Sequence, residues 1–345
     1  MQYRPLGRTG LSVSAIGLGT MTWGQQNTEE EGHAQMDYAV ERGVNFFDTA
    51  EMYSIPPQPA TQGSTERIIG TWFKKTGKRK DIILASKIAG RGPMTWLRPD
   101  GAAPRHTPAQ INQAIEASLA RLQTDYIDLY QLHWPDRKLQ VFGGHTYRDY
   151  DDDYVAFDDI VDALQRHVEK GTVRAFGVSN ETAWGVMKFI EASRRGGPRV
   201  ASIQNAYNLV NRTFETGLAE VAMREAVGLL AYSPLAQGYL TGKYLNGARP
   251  DRARSTLFNR GQRYETPGAE AALRRYVELA ASLEVSPAAL AIKFCDTRPF
   301  TTSTLIGATT LEQLAHDMDA FDLPWTPEME RGVNDLHAAH SNPCP

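Results

Sequence analysis

Cysteine is nearly absent: Cys295 and Cys344 are the only two in 345 residues. That count excludes a disulfide framework and a cysteine-based metal site. No stretch approaches the roughly 18 uninterrupted apolar residues of a membrane-spanning helix. The opening MQYRPLGRTGLSVSAIGLG also lacks the apolar core of a secretory leader. The chain is therefore expected in the cytosol, where the sequons at Asn180 and Asn211 carry no sugar. There is no block of Lys or Arg either. With a net charge of -3 and a pI near 6.3, the chain offers no electrostatic footprint for nucleic acid or an anionic membrane. Neither H-E-x-x-H nor H-x-H occurs, so a metal-dependent hydrolase lacks its ligands and no metal is expected. What remains is the composition of an ordinary globular protein, long enough for one large core or two modest ones.

Within that composition, short apolar runs recur at intervals suited to strands. They are residues 15–20, 45–50, 82–87, 126–133, 173–180, 202–208, 228–235 and 303–309, preceded by a probable hairpin in YRPLGRTGLSVS. Helix-period segments separate most of them, among them TEEEGHAQMDYAVERG, TPAQINQAIEASLARLQ, FDDIVDALQRHVEKG and ETAWGVMKFIEASRR. Several begin at Thr, Asp or Asn and end at Gly, as capping requires. Eight strands alternating with helices, without a break in composition, predict a single (β/α)8 TIM barrel domain over residues 1–345, with an N-terminal hairpin. The rival is a doubly wound sheet. A dinucleotide-binding sheet of that kind opens with G-x-G-x-x-G after its first strand, whereas this chain reads GLGTMTWG there. The long irregular segments, residues 54–63, 91–108, 134–154 and 236–264, each follow a strand, on the face where barrel enzymes build their sites.

The strand ends carry polar groups: Thr20, Asp48, Lys87, His133, Ser179 with Asn180, Gln204 with Asn205, and Tyr232 with Ser233. In a barrel these ends converge on one mouth, and Tyr53 would reach in from the loop beyond Asp48. Asp, Lys and Tyr form a coherent chemical unit. A buried ammonium beside a carboxylate keeps its charge, and a phenol against that ammonium is expected to have its pKa lowered from about 10. His133 could give a second hydrogen bond to the same substrate oxygen. Such a set suits protonation of a carbonyl oxygen while its carbon receives a nucleophile. Each residue has a plainer reading when taken alone: Asp48 as a turn former, Lys87 as a solvated charge, His133 packed on Trp134, Tyr53 as a loop cover. The argument rests on the four occurring together, each at or just past a strand end.

The motifs GVNFFDTAEMYS, ASK, DLYQLHWP, GVSN, QNAYN, AYSPLAQGYLTGKY and IGATTLEQL occur in this order over nearly the whole chain. In them the sequence resembles the aldo-keto reductases. GLGTMTWG, AEMYSIPP, LQTDY and LTGKYLNGA point to the Tas-like branch, related to the potassium-channel β-subunits. The resemblance implies reversible reduction of aldehydes or ketones, a catalytic tetrad of Asp48, Tyr53, Lys87 and His133, and Tyr53 as proton donor. It also implies NADP(H) bound across the barrel mouth without a Rossmann domain. Ser179, Asn180 and Gln204 would hold the carboxamide, Tyr232 would stack under the nicotinamide, and Thr20, Met21 and Asp48 would complete that end. Ser233, Pro234, Leu235, Gly238 and Lys243 would follow the pyrophosphate; Gly307, Thr309 and Gln313 would take the adenosine.

Two departures concern the adenosine end. Thr310 stands where many relatives carry Lys or Arg for the 2'-phosphate, and Arg254 is expected to supply that charge instead. His316 and Asp317 replace the usual Glu-Asn pair. Trp23, Met52, Trp96 and Trp134 are expected to wall an apolar pocket for a small carbonyl compound. The acidic run Asp149, Asp151, Asp152 and Asp153 reads as a solvated loop leading into a helix rather than a cation site, and its functional reading is part of the substrate wall. No feature indicates a protein partner. The alternative to a working enzyme is a nicotinamide-binding regulatory subunit with slow or vestigial turnover.

Overall fold

Strands β1 (Tyr3–Pro5) and β2 (Ser12–Ser14) pair antiparallel, with Tyr3 opposite Ser14, as the hairpin expected at the N-terminus. Gly7, in its turn, has φ 55°, and a Cβ there would lie 2.5 Å from the carbonyl oxygen of Ala201. Only glycine combines that backbone with so close an approach. The computed structural model describes residues 1–140, 142–144, 146, 153–259 and 262–345.

Eight further strands follow: β3 (Ile16–Gly19), β4 (Phe46–Asp48), β5 (Ile83–Ile88), β6 (Ile127–Leu132), β7 (Val173–Ser179), β8 (Val200–Ala206), β9 (Gly228–Tyr232) and β10 (Thr301–Ile306). Each pairs in parallel with its neighbours, and β10 returns to β3, so the sheet closes into a barrel. That closure separates it from the doubly wound rival. Every expected run supplies one strand, with ends moved by a few residues. The run expected over residues 228–235 stops at Tyr232, because Ser233 turns to φ 55° and leaves the β region.

The helices form where the capping residues stand. Thr28 accepts from the amide of Glu31, and the Glu31 side chain reaches back to the Thr28 amide, starting the helix Glu29–Glu41. Thr107 caps Pro108–Leu122, and Gly171, left-handed at φ 76°, ends Phe157–Lys170. The helix expected over residues 181–195 runs Ala183–Ser193, capped by Thr182. Helices and strands pack through one extended apolar layer that includes Trp72, Ile115, Phe176, Phe189 and Phe294. Among the described residues, no helix is long and apolar enough to cross a membrane.

Inside the barrel, the two-residue period of a strand sorts the side chains into layers. The lower layer is apolar: Phe46, Ala85, Leu129, Ala175, Leu230 and Leu305 meet Leu6 and Leu11 of the hairpin. Two residues further along four of these strands stand Asp48, Lys87, Gln131 and Tyr232. The hairpin plugs the N-terminal end and the apolar layer fills the middle, so these polar groups form a floor that faces the open, C-terminal mouth.

Candidate active site

The register β3–β4–β5–β6 sets Asp48 beside Ala85 and Lys87 beside Gln131, so Asp48 and Lys87 face each other across one strand pair. Lys87 Nζ donates to Asp48 Oδ2 at 2.6 Å and to the Thr49 carbonyl at 2.8 Å. The other carboxylate oxygen, Oδ1, accepts from Gln131 Nε2 at 3.0 Å and from Gln204 Nε2 at 2.8 Å. Asp48 is thus held by three strands besides its own. From the loop after β4, Tyr53 brings its hydroxyl to 3.5 Å from Lys87 Nζ, which lies 4.9 Å from the centre of the ring. His133, just past β6, stands edge-on to Tyr53 with ring centres 5.6 Å apart. The four residues expected at one mouth do meet there.

Their protonation differs from the expectation in one respect. Burial first, then the Asp48 carboxylate, hold the Tyr53 phenol well above its ordinary value, and Arg254 opposes them. The expected lowering by Lys87 does not appear. At 2.6 Å from Nζ, Asp48 cancels most of the ammonium's field at the phenol, and burial of the phenol dominates. Tyr53 at rest is therefore a protonated phenol. Burial also pulls the Lys87 ammonium down, with Asp48 opposing. Burial, then Lys87 and His106, push His133 well below its ordinary value, so its imidazole is neutral near pH 7. His133 Nδ1 is buried without a hydrogen-bond partner.

Around this centre, Asn180 is left-handed at φ 52°. Its Nδ2 donates to the His133 carbonyl at 2.9 Å, and its Oδ1 accepts from the Tyr232 hydroxyl at 2.6 Å. Ser179 Oγ donates to the Gln204 carbonyl at 2.7 Å. Ser179, Asn180, Gln204 and Tyr232 are therefore adjacent. Thr20 and Met21 reach the same rim: Thr20 Oγ1 donates to the Asp48 carbonyl at 2.9 Å, and the Met21 carbonyl accepts the Ile55 amide. Beyond β9, Ser233, Ala236, Gln237 and Gly238 all have positive φ, and Pro234 and Leu235 lie between them. The amides of Ala236 and Gly238 bond back to the Ser233 and Leu235 carbonyls and fold this segment into a tight turn. Lys243 stands over it, since a Cβ on Gly238 would lie 2.8 Å from its Nζ.

At the end expected to take the adenosine, Thr310 has a local role. Thr310 caps the helix Leu311–Asp319 by accepting the Gln313 amide, so its hydroxyl has a structural task. Gln313 Oε1 accepts from both the amide and the hydroxyl of Thr309, two residues beyond Gly307. Asp317 is pushed by burial up to about 7, and the charge of Lys243 opposes this. The charge of Arg254, at the start of the short helix Arg254–Phe258, is felt at Tyr53. Arg254, expected to serve the 2'-phosphate, opens that short helix, and Lys243, expected along the pyrophosphate, is close enough to the helix Leu311–Asp319 for its charge to act on Asp317.

Of the expected pocket wall, Met52 packs with Tyr53, Ala89, Met94 and Leu97, with Met21, Ile55 and Trp134 against them. Trp134 lies on His133 at 4.9 Å and donates to the Arg91 carbonyl; Gly90 admits it, since a Cβ there would sit 2.1 Å from the Trp134 oxygen. Trp96 is half exposed on a turn of the same loop. Trp23 is not part of the wall. It is wholly buried in the outer core against Gly32, with Nε1 donating to Gln35 at 3.0 Å. Asp149, Asp151 and Asp152 lie outside the described residues, while Asp153 pairs with Arg91 and Arg105. The sequence reading missed Gln131. Its signal is the two-residue period of YIDLYQLH, which sends Leu129, Gln131 and His133 to one face.

Behind the site, His106 is buried with Nε2 unpartnered, and burial pushes its pKa down to about 4. A histidine with a depressed folded pKa contributes stability that is full above the unfolded value of about 6.5 and is lost as pH falls towards 4. We expect about 3 kcal/mol of stability to disappear across that window. Urea melts at pH 7 and pH 4 should show a smaller difference in His106→Gln than in the parent; an unchanged difference would reject the assignment.

Comparison with known proteins follows this geometry. The aldo/keto reductase family model matches residues 15–336. Protein tas of Escherichia coli is 46% identical over 350 residues, covering 100% of both chains. An uncharacterized oxidoreductase, YrpG, of Bacillus subtilis is 32% identical over 97% of this chain and 96% of its own. A probable voltage-gated potassium channel subunit beta of Arabidopsis thaliana is 32% identical over 94% of this chain and 92% of its own.

Proposed function

The chain belongs to the aldo/keto reductase family, and from that premise we propose that it is a cytosolic NADP(H)-dependent reductase that converts aldehydes or ketones reversibly to alcohols. The observation that carries this reading is the Tyr53 hydroxyl. It is protonated, 3.5 Å from an ammonium that is itself locked to Asp48, and beside a neutral imidazole at an apolar mouth. The donor set also fits the cofactor. Amide groups of Asn180 and Gln204 border the floor, and the Lys243 ammonium beside the turn at Gly238 suits a pyrophosphate.

Bound in this cradle, a reduced nicotinamide supplies the hydride. The protein supplies the rest. Tyr53 gives its proton to the carbonyl oxygen as negative charge develops there. The phenolate left behind lies against the Lys87 ammonium, which stabilises it, and Asp48 keeps that ammonium charged and aimed. Neutral His133 carries one ring N–H, with which it orients the same oxygen. Met52, Met94, Leu97 and Trp134 exclude water from the reacting carbon.

Purified protein with a panel of aromatic and aliphatic aldehydes and ketones tests the reading: NADPH consumption is expected, and its absence on every carbonyl overturns it. Resemblance to relatives described as channel β-subunits favours the second reading, a regulatory cofactor-binding subunit, if the cofactor binds without turnover. Cofactor choice has its own prediction. Arg254→Ala should weaken NADPH about ten-fold more than NADH, the size of one charged hydrogen bond, whereas Lys243→Ala, at the pyrophosphate, should weaken both alike. Fluorescence titration of the two variants decides, and the reverse pattern would move the 2'-phosphate to Lys243.

A further inference from the structure

Two residues before Tyr53 stands Glu51, a carboxylate only 1% exposed. Arg98, 3% exposed, meets it with both terminal nitrogens: Nη1 donates to Oε2 at 2.8 Å and Nη2 to Oε1 at 2.9 Å. Oε1 also accepts the Ala89 amide at 2.8 Å, and the Glu51 amide donates to the Lys87 carbonyl at 3.1 Å. Arg98 in turn donates through Nε to Gln110 on the helix Pro108–Leu122 and through Nη1 to the Leu97 carbonyl. One ion pair therefore joins three segments: the loop carrying Tyr53, the end of the strand carrying Lys87, and the loop carrying the apolar residues Met94 and Leu97.

Burying two charges this completely brings little net stability over an apolar pair of the same size, so stability alone does not account for it. Position does. The Tyr53 side chain has a single hydrogen bond, the 3.5 Å contact to Lys87, and its backbone amide bonds only within its own turn, to Ala50. The direct ties of this turn to the lysine strand run through Glu51 and the Thr49 backbone: Thr49 to the Ala85 carbonyl and to Lys87 Nζ, Glu51 to Lys87 and Ala89. Of these, only the Glu51 side chain also reaches the pocket wall.

We propose that Glu51 and Arg98 are positioning residues that set the distance from the Tyr53 hydroxyl to Lys87 and the placement of the wall at Met94 and Leu97. This rests on the reading of Tyr53 as proton donor. An offset of about 1 Å in a reacting group costs on the order of 10²-fold in rate. Removing one charge alone endangers folding, so the principal variant is the neutral pair Glu51→Gln with Arg98→Met, with Arg98→Lys as the conservative change. In the neutral pair, hydrogen exchange at the amides of Glu51 and Ala89 should quicken about ten-fold or more, while amides within β6 keep their protection. kcat for aldehyde reduction should fall about 10²-fold with cofactor Kd within about two-fold, Arg98→Lys recovering part of the loss. Added to Tyr53→Phe, the same changes should slow the reaction no further.

Unchanged exchange at Glu51 and Ala89 overturns the inference whatever the activity. A rate loss that adds in full to that of Tyr53→Phe overturns it too, by showing an effect not routed through Tyr53. If the parent protein reduces no carbonyl, the functional reading fails by itself, and the exchange measurement still decides whether the clamp exists.

Discussion

Tyr53→Phe should lower kcat for carbonyl reduction by about 10²–10⁴-fold, the range for removing a placed general acid, and leave NADPH affinity within about two-fold. The substitution deletes one oxygen and keeps the ring. That oxygen makes a single hydrogen bond, the 3.5 Å contact to Lys87, so global stability should change by no more than about 1 kcal/mol. The ring keeps its edge contact with His133 and its place among Met52, Met94 and Leu97. Activity and stability are thus expected to separate cleanly. Single-turnover kinetics with thermal melts check both, and a cofactor affinity that collapses with the rate would move Tyr53 from acid to binding residue.

The raised phenol pKa bears on how this acid works. A tyrosine that ionised near neutral pH would have lost the proton it must deliver. In the proposed mechanism burial keeps the proton on at rest, and the ammonium would act only as the proton departs, when phenolate charge appears beside it. The selective gain falls on the transition state, where catalysis needs it.

Much of this was legible in the sequence because it depends on local pattern. Eight apolar runs separated by capped helical segments define eight strands, and a two-residue period defines which side chains share the interior. Asp48, Lys87 and His133 were readable because each stands at or just past a strand end, where a barrel brings distant residues together. Other features depend on tertiary distance and were not readable. Trp23 follows a strand as a pocket residue would, yet Gly32 opens a space in the outer core that takes its indole. The partnership of Glu51 with Arg98 spans 47 residues and two loops, and nothing local announces it.

Lys87→Met should have the largest combined effect, because the lysine serves both fold and chemistry. Its ammonium is fully buried and bonded to Asp48 and the Thr49 carbonyl. Methionine fits the space but leaves Asp48 as a buried carboxylate whose Oδ2 has lost its partner, while Oδ1 keeps Gln131 and Gln204. Removing one partner of a buried pair costs about 3–5 kcal/mol, so the melting temperature should fall with the activity. Adding Asp48→Asn removes the stranded charge and still offers an oxygen to the two glutamine amides, so most of the stability should return. Activity should not return, since no cation then stands by the Tyr53 hydroxyl when its proton leaves. A double variant that regains turnover would show that Lys87 serves only to neutralise Asp48. A single variant as stable as the parent would mean that the pair is not held out of water. Recovery of stability without recovery of rate is the outcome expected of the proposed mechanism, in which the contact to Asp48 holds the site together and the contact to Tyr53 would stabilise the phenolate as the proton leaves.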